Sequence, residues 1–283
     1  MKNDPKLIFS DLKEKLIDGS LKIPGLPDIA HRVQRAISHD DYNVSDVARI
    51  IQTDIPLSGR IIQIANSPLY KGVVPVDTCQ AAVNRLGMKV VRNLVTSFAV
   101  RRLYSLKDSH VRKQIEKLWK HSVKIGAISF TLARVTPGFD PEHAMLAGLT
   151  HDIGELVILQ YVELNQDLLK DENLLREFIQ RYKSKLSGVI LKHWRFEEEI
   201  IRAALDAENW MRDPADSPDI ADVVMSSHIM EMVLVDELPQ GVSSFKELPV
   251  YRKFPVFKLG EFAHRELMME SQEEISELQK LLR

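Results

Sequence analysis

The sequence predicts an all-α protein, on three observations. Apolar residues recur at steps of three to five along nearly the whole chain. Helix-capping residues stand immediately before these stripes. No run alternates for long enough to demand a sheet. The first helix follows Asp4-Pro5, an N-cap with proline at the first helical position, carries Leu7, Ile8, Leu12, Leu16 and Ile17, and ends at Gly19. Asp28 to Ser38 gives a second helix with Ile29, Val33 and Ile37 on one face. Asn43 caps a short helix through Ile51, and Asp54 caps the next, with Pro56 in its first turn. Pro68 and Gly72 break the pattern. Asp77 starts a helix that stops at Gly87, read as a left-handed C-cap, and Met88 to Tyr104 continues as another helix.

The second half repeats the logic. A long helix is predicted from about Ser109 to Val135, stopped by Pro137-Gly138 and restarted by Asp140-Pro141. It is followed by a short apolar segment from Glu155 to Val162 and by separate helices over Asp171–Tyr182, Lys185–His193 and Glu197–Met211. Ile220, Val223, Val224 and Ile229 mark another helix, Pro239 to Leu259 a loop, and Phe262, Leu267, Ile275, Leu278 and Leu282 a last helix.

With 283 residues, 45% hydrophobic and 28% charged, the chain has the composition of a globular protein with a sizeable core. A net charge of -2 and a pI near 6.5 argue against a surface coated for nucleic acid or membrane. There is neither a signal-peptide pattern at Met1-Lys2-Asn3-Asp4-Pro5 nor an apolar run of the ~20 residues a bilayer needs. Cys79 is the single cysteine and reads as a small core residue. Together these predict a cytoplasmic protein in a reducing compartment.

The mild total charge hides an uneven distribution. From Arg85 to Lys124, eleven basic residues face two acids; from Arg195 to Asp222, nine acids face three arginines. Two readings stand: solvated faces that partly pair with each other, or a basic surface centred on Arg92, Arg101, Arg102, Lys113, Lys117 and Lys120 that docks an anionic partner.

The residues with chemistry are His121, within Trp119-Lys120-His121-Ser122, and His151-Asp152, which closes a helix in Gly148-Leu149-Thr150-His151-Asp152-Ile153-Gly154. An imidazole and a carboxylate at one helix end, with a second imidazole from a packed neighbour, can ligate one metal ion. By spacing alone this is a weak signal, and core or helix-terminal histidines with local hydrogen bonds account for it more readily.

That seven-residue segment resembles the signature of the HD phosphohydrolase superfamily, and upstream segments narrow the resemblance to its HDOD (HD-related output domain) branch. Leu26-Pro27 is similar to the family's opening, Asp54-Ile55-Pro56-Leu57 with Ala65-Asn66-Ser67 to its "D-P-x-L … A-N-S" segment, and Ala82-Val83-Asn84-Arg85-Leu86-Gly87 to its "A-I-x-x-L-G" segment. His121-Ser122 and Asp140-Pro141-Glu142 follow in the same order, so the resemblance spans roughly Leu21 to Met211. It implies a multi-helix HD-like bundle with an additional N-terminal helical subdomain. The implied organisation is an N-terminal helix over 1–20, an HDOD domain over 21–211 (an N-terminal helical part 21–107 and an HD-like part 108–211), and a C-terminal helical extension over 212–283 packing on the HD-like part.

The resemblance also implies which ligands remain. His121 matches the first histidine ligand of the active relatives, and His151 and Asp152 match the doublet. The fourth ligand, an aspartate, aligns with Ser226 or Ser227, so that His228 would serve only in a shifted register. The further histidines of the HD-GYP relatives fall at Lys183 and at Ala207-Glu208, and the lysine that holds their phosphate substrate is Glu155 here. A vestigial site at His121, His151 and Asp152, with no catalytic residue and no resident cofactor, is therefore expected. The function implied is a non-catalytic bacterial signal-transduction module that binds a partner protein, its own oligomer or a small anionic ligand. Two alternatives stay open: a metal-dependent phosphohydrolase holding a divalent transition metal at the same residues, and nucleic-acid binding through the basic 85–124 stretch, with affinity that falls steeply with salt.

Overall fold

The computed structural model describes residues 4–38, 42–104, 110–234, 237–239, 241–254, 269 and 271–282, and among these there are helices and no strand. In chain order the α-helices are α1 (Pro5–Ile17), α2 (Asp28–Ser38), α3 (Val44–Gln52), α4 (Ile55–Ala65), α5 (Cys79–Leu86), α6 (Met88–Leu103), α7 (Arg112–Val135), α8 (Pro141–Thr150), α9 (Ile153–Leu164), α10 (Glu172–His193), α11 (Glu198–Asp206), α12 (Ile220–Leu234) and α13 (Gln272–Leu282). Three 3-10 turns lie at Gln166–Lys170, Phe245–Glu247 and Pro249–Arg252. No described helix is long and apolar enough to cross a membrane.

The starts of these helices follow the expected chemistry. Asp4, Asn43, Asp54 and Asp140 each accept a backbone N–H of the first turn, and Asn43 forms a reciprocal box with Asp46. Thr78, rather than Asp77, caps α5, and Gly87 ends it at φ 81°. Two boundaries differ from the sequence expectation. Lys183-Ser184 does not divide two helices: nothing between Glu172 and His193 removes a donor or demands positive φ, so α10 runs through 22 residues. Conversely, α11 stops at Asp206, and the chain then turns so that Arg212 points back at that carboxylate. Phe262 and Leu267 lie outside the described residues.

Two units emerge from the packing. One comprises the chain up to Gly25 with Tyr104–Gln272, and is built from α1 and α7–α12. Within it α7 lies along α8, α9 along α10, and α12 against α7, α8 and α11. Ala221 and the run from Val223 to Met230 on α12 are all buried, so this helix is enclosed on all sides and forms the unit's centre. Residues 212–254, which the sequence reading sets beyond the HDOD domain, thus supply a central helix of this unit.

The other unit comprises Leu26–Leu103 with Glu273–Arg283, and holds α2–α6 and nearly all of α13. The motif residues upstream of the histidines shape this unit. Asn66 clamps the loop after α4, donating to the Val76 carbonyl at 2.7 Å and accepting from its N–H at 2.9 Å. Arg85 adds donors to the Ala65 carbonyl and to the Val74 carbonyl. Asp54 caps α4 and also pairs with Arg102 at 2.6 Å. Cys79 is a free, buried thiol, as the apolar flanks predict.

Candidate metal centre

Two close helix crossings build the site. A Cβ on Gly148 of α8 would stand 2.8 Å from the Gly126 Cα of α7, so only glycine lets these backbones meet. The crossing sets His121, on α7, beside His151, which ends α8. A Cβ on Gly154 would overlap the Lys183 carbonyl and the Ser187 nitrogen of α10; in its place, the Gly154 N–H donates to the Ser187 hydroxyl at 2.8 Å. This second crossing brings Lys183 to Asp152. Asp152 occupies the N-cap position of α9 yet makes no capping bond with its side chain. Its carboxylate turns instead into the cluster, near the positive end of the helix.

Three imidazoles converge there. His121, His151 and His228 each offer a ligand nitrogen within 4.8 Å of the others. His151 is fully buried and His228 nearly so, whereas His121 is partly exposed. The His151 Nδ1 lies 2.7 Å from the Gly148 carbonyl oxygen, which only accepts, so Nδ1 carries a hydrogen and Nε2 is the nitrogen turned inward. Inward, Nε2 meets His228 Nε2 at 3.2 Å and Asp152 Oδ2 at 3.2 Å. His121 places Nε2 3.8 Å from the same Asp152 oxygen and Nδ1 3.5 Å from Glu231 Oε2. Thus the outer nitrogens of His121 and His151 face acceptors, and their inner nitrogens face a carboxylate. Outer partners of this kind orient imidazoles as metal ligands. Each inner nitrogen against the carboxylate oxygen is satisfied by a proton on the imidazole or by a cation between the two.

The charges around the cluster are closely coupled. Lys183 Nζ lies 2.8 Å from Asp152 Oδ2 and 2.8 Å from Glu208 Oε1, and Lys124 Nζ lies 2.9 Å from Glu231 Oε1. Burial pushes the Asp152 carboxyl up, but the charges of His151 and Lys183 outweigh it and hold the group well below the usual range. Burial pushes His121 down, and the hydrogen bond to Glu231 with the Asp152 charge turns the net shift upward. Burial and the neighbouring His151 and His121 hold His228 well below the ordinary imidazole value. Glu231 is opposed by burial but drawn down to about 2 by His121 and Lys124. Glu155 is pushed up to about 7, by burial first and then by the Asp152 charge.

This donor set fits one transition-metal ion. Imidazole nitrogens suit zinc, copper, iron or nickel, and three imidazoles leave a position open. Asp152, Glu208 and Glu231 outnumber Lys183 and Lys124, so one divalent cation also relieves the excess negative charge. His121, His151 and His228 would hold the ion, with Asp152 beside them; when bound, it supplies Lewis acidity. The cluster opens into a cavity of about 890 Å³ lined also by Lys117, Leu118, Leu175, Arg176, Ile179 and Met232.

Of the residues singled out from the sequence, His121, His151 and Asp152 meet here. His228, not Ser226 or Ser227, is the α12 residue that joins them. The Ser227 hydroxyl instead binds Ser129 of α7 at 2.9 Å, because adjacent helical residues point about 100° apart. A histidine within a mostly apolar helix was the sequence signal for His228. Lys183 and Glu208 stand where the resemblance places lost histidines, but their mutual pairing is visible only in three dimensions. Of the basic residues proposed for docking, Arg92, Arg101 and Arg102 lie on α6 in one unit, and Lys113, Lys117 and Lys120 on α7 in the other. Arg102 is engaged by Asp54, while the three lysines are exposed.

Comparison with known proteins agrees with this architecture. The structure is similar over its full length to a Shewanella amazonensis protein whose name proposes a metal-dependent phosphohydrolase, with 26% identity, a TM-score of 0.80 and all of both chains covered. It also shares its fold with an HDOD domain protein of unknown function from Geobacter sulfurreducens, at 21% identity and a TM-score of 0.69 over 99% of this chain and 98% of that one. A curated but uncharacterised Treponema pallidum protein is 24% identical over 231 residues, which are 77% of this chain and 44% of that protein, so the match spans less than half of the relative. The HDOD domain family matches residues 23–210. With two thirds of its length in that match, and its histidine, aspartate and glycine motifs meeting at one buried centre, the chain belongs to the HDOD domain family.

Proposed function

We propose that this chain is a non-catalytic signal-transduction module that binds a partner protein or a small anionic ligand through its HD-like unit. One observation carries the reading: carboxyl groups dominate the surroundings of the histidine cluster. Asp152, Glu155, Glu208 and Glu231 line the cavity there, and the two lysines that reach the cluster, Lys124 and Lys183, are each engaged by these carboxylates. A phosphoryl group brought to this position meets Glu155 where the active relatives of the resemblance carry a lysine. Like charge from Asp152 and Glu231, joined by Glu155 as it ionises above about pH 7, opposes its binding in a partly desolvated site. The exposed Lys113, Lys117 and Lys120, spaced along one stripe of α7, are the docking face this reading favours for an acidic partner.

Hydrolysis at a single ion is the second reading, favoured by the three-imidazole cluster and by the name of the Shewanella protein. One assay separates the two. Purified protein loaded with Mn²⁺, Zn²⁺ or Fe²⁺ is incubated with nucleotides, phosphomonoesters and phosphodiesters. The proposal expects no turnover above the metal-only background. Turnover abolished by His151→Ala establishes the hydrolase.

A further inference from the structure

Lys183 is an unusual residue to find beside a group of metal ligands. Its side chain is 9% exposed, and its ammonium sits 2.8 Å from an oxygen of each of two carboxylates on different segments, Asp152 and Glu208. The same Asp152 oxygen, Oδ2, is also the one that faces His151 and His121, at 3.2 and 3.8 Å. Asp152 therefore bridges two positive positions: one among the imidazoles, and one filled by the lysine. Glu208 touches the second only through Lys183. The Gly154 crossing holds the Lys183 backbone against α9, so the ammonium starts from a fixed point beside Asp152.

We propose that Lys183 is a tethered counter-cation occupying the place that a second divalent ion would take between Asp152 and Glu208, so that the cluster admits one ion and excludes a second. This rests on the one-ion fit of the histidines and explains how a centre with so many carboxylates stays closed to a metal pair. The buried Asp152 carboxylate, with the half-buried Glu208 facing the same position, favours a cation there, and the chain supplies it covalently. The residues present do not fit a second ion while the ammonium is there.

The test is metal stoichiometry. Protein stripped with chelator is equilibrated with Mn²⁺ alone, and bound manganese is counted per chain by elemental analysis. Lys183→His, which removes the charge and adds a ligand on the same helical face, is expected to hold one ion more than the wild type. Lys183→Met, which leaves Asp152 and Glu208 unpaired, is expected to melt lower than the wild type in metal-free buffer and to regain most of that loss as Mn²⁺ is raised. A folded Lys183→His with wild-type stoichiometry overturns the inference. If Lys183→His does not fold, a Lys183→Met melting temperature that Mn²⁺ raises no more than the wild type's overturns it. Two ions in the wild type also overturn it. Hydrolysis by a wild-type protein holding one ion refutes the proposed function and leaves this assignment standing.

Discussion

The HD-like unit buries two charged clusters, and they are built on opposite principles. At the start of α12, Arg212 donates through Nε to Asp206, through Nη1 to Asp219 and Asp222, and through Nη2 to Asp219. Asp222 takes Arg212 on one oxygen, and Lys253 with the Asp219 N–H on the other. The Asp222 N–H in turn donates to Asp219, so two carboxylates also close the first turn of the helix. Here donors meet acceptors, and burial leaves nothing unanswered. Around His151, by contrast, several groups crowd one acceptor: the inner nitrogens of His151 and His121 and the Lys183 ammonium all turn toward the same Asp152 oxygen. A buried polar network whose donors and acceptors match one to one is structure; one in which several imidazole nitrogens converge on a single carboxylate oxygen offers a place for a proton or a cation.

This contrast can be broken at its structural end first. Arg212→Met leaves the fully buried Asp222 with Lys253 as its remaining cation, and is expected to cost about 3–5 kcal/mol in denaturant unfolding. A loss below ~1 kcal/mol would mean that the Arg212 network is not structural. Gly154→Ala forces a methyl into the Lys183 backbone; an expected cost of about 1–3 kcal/mol comes with weakened metal retention, since α9 and α10 carry Asp152 and Lys183. Unchanged metal content in a destabilised Gly154→Ala would separate the crossing from the site.

The smallest effect is a pH dependence at the ligand-ready end. Glu155 rises from its ordinary 4.5 to about 7 on folding, so the folded chain holds this proton after the unfolded chain has lost it. Its contribution is therefore full below pH 4.5 and is lost as pH rises toward 7. In metal-free protein, Glu155→Gln is expected to match the wild type near pH 4.5 and to exceed it by about 1–2 kcal/mol at pH 8. Equal stability of the two at pH 8 would show that Asp152 and burial do not act on Glu155 as described. His121 and Glu231 add opposite slopes at the extremes. The raised imidazole stabilises below its unfolded value and loses that effect as pH climbs through its folded one. The depressed carboxylate stabilises above 4.5 and loses its effect as pH falls toward 2.

How much was legible differs by element. Capped starts at Asp4, Asn43, Asp54 and Asp140 depend on a side chain reaching a backbone N–H two or three residues away, and such local bonds are written in the sequence. The join across Lys183-Ser184 was less legible: apolar spacing there is irregular, while the absence of any breaker was the better guide. His121, His151 and Asp152 were found through motif order. His228 was not, because a register error of one residue on α12 turns the side chain by about 100° and trades a ligand for Ser227.

By itself the sequence determined the helical class, the helix starts capped by Asp4, Asn43, Asp54 and Asp140, the family motifs and the candidate metal-binding doublet, since these depend largely on residues close in the chain. Only the tertiary structure decided that His228 completes the cluster, that Lys183 spans Asp152 and Glu208, and that Gly154 brings α9 onto α10. Those contacts join residues 25 to 77 positions apart, and their geometry depends on how whole helices rotate and cross rather than on any local pattern.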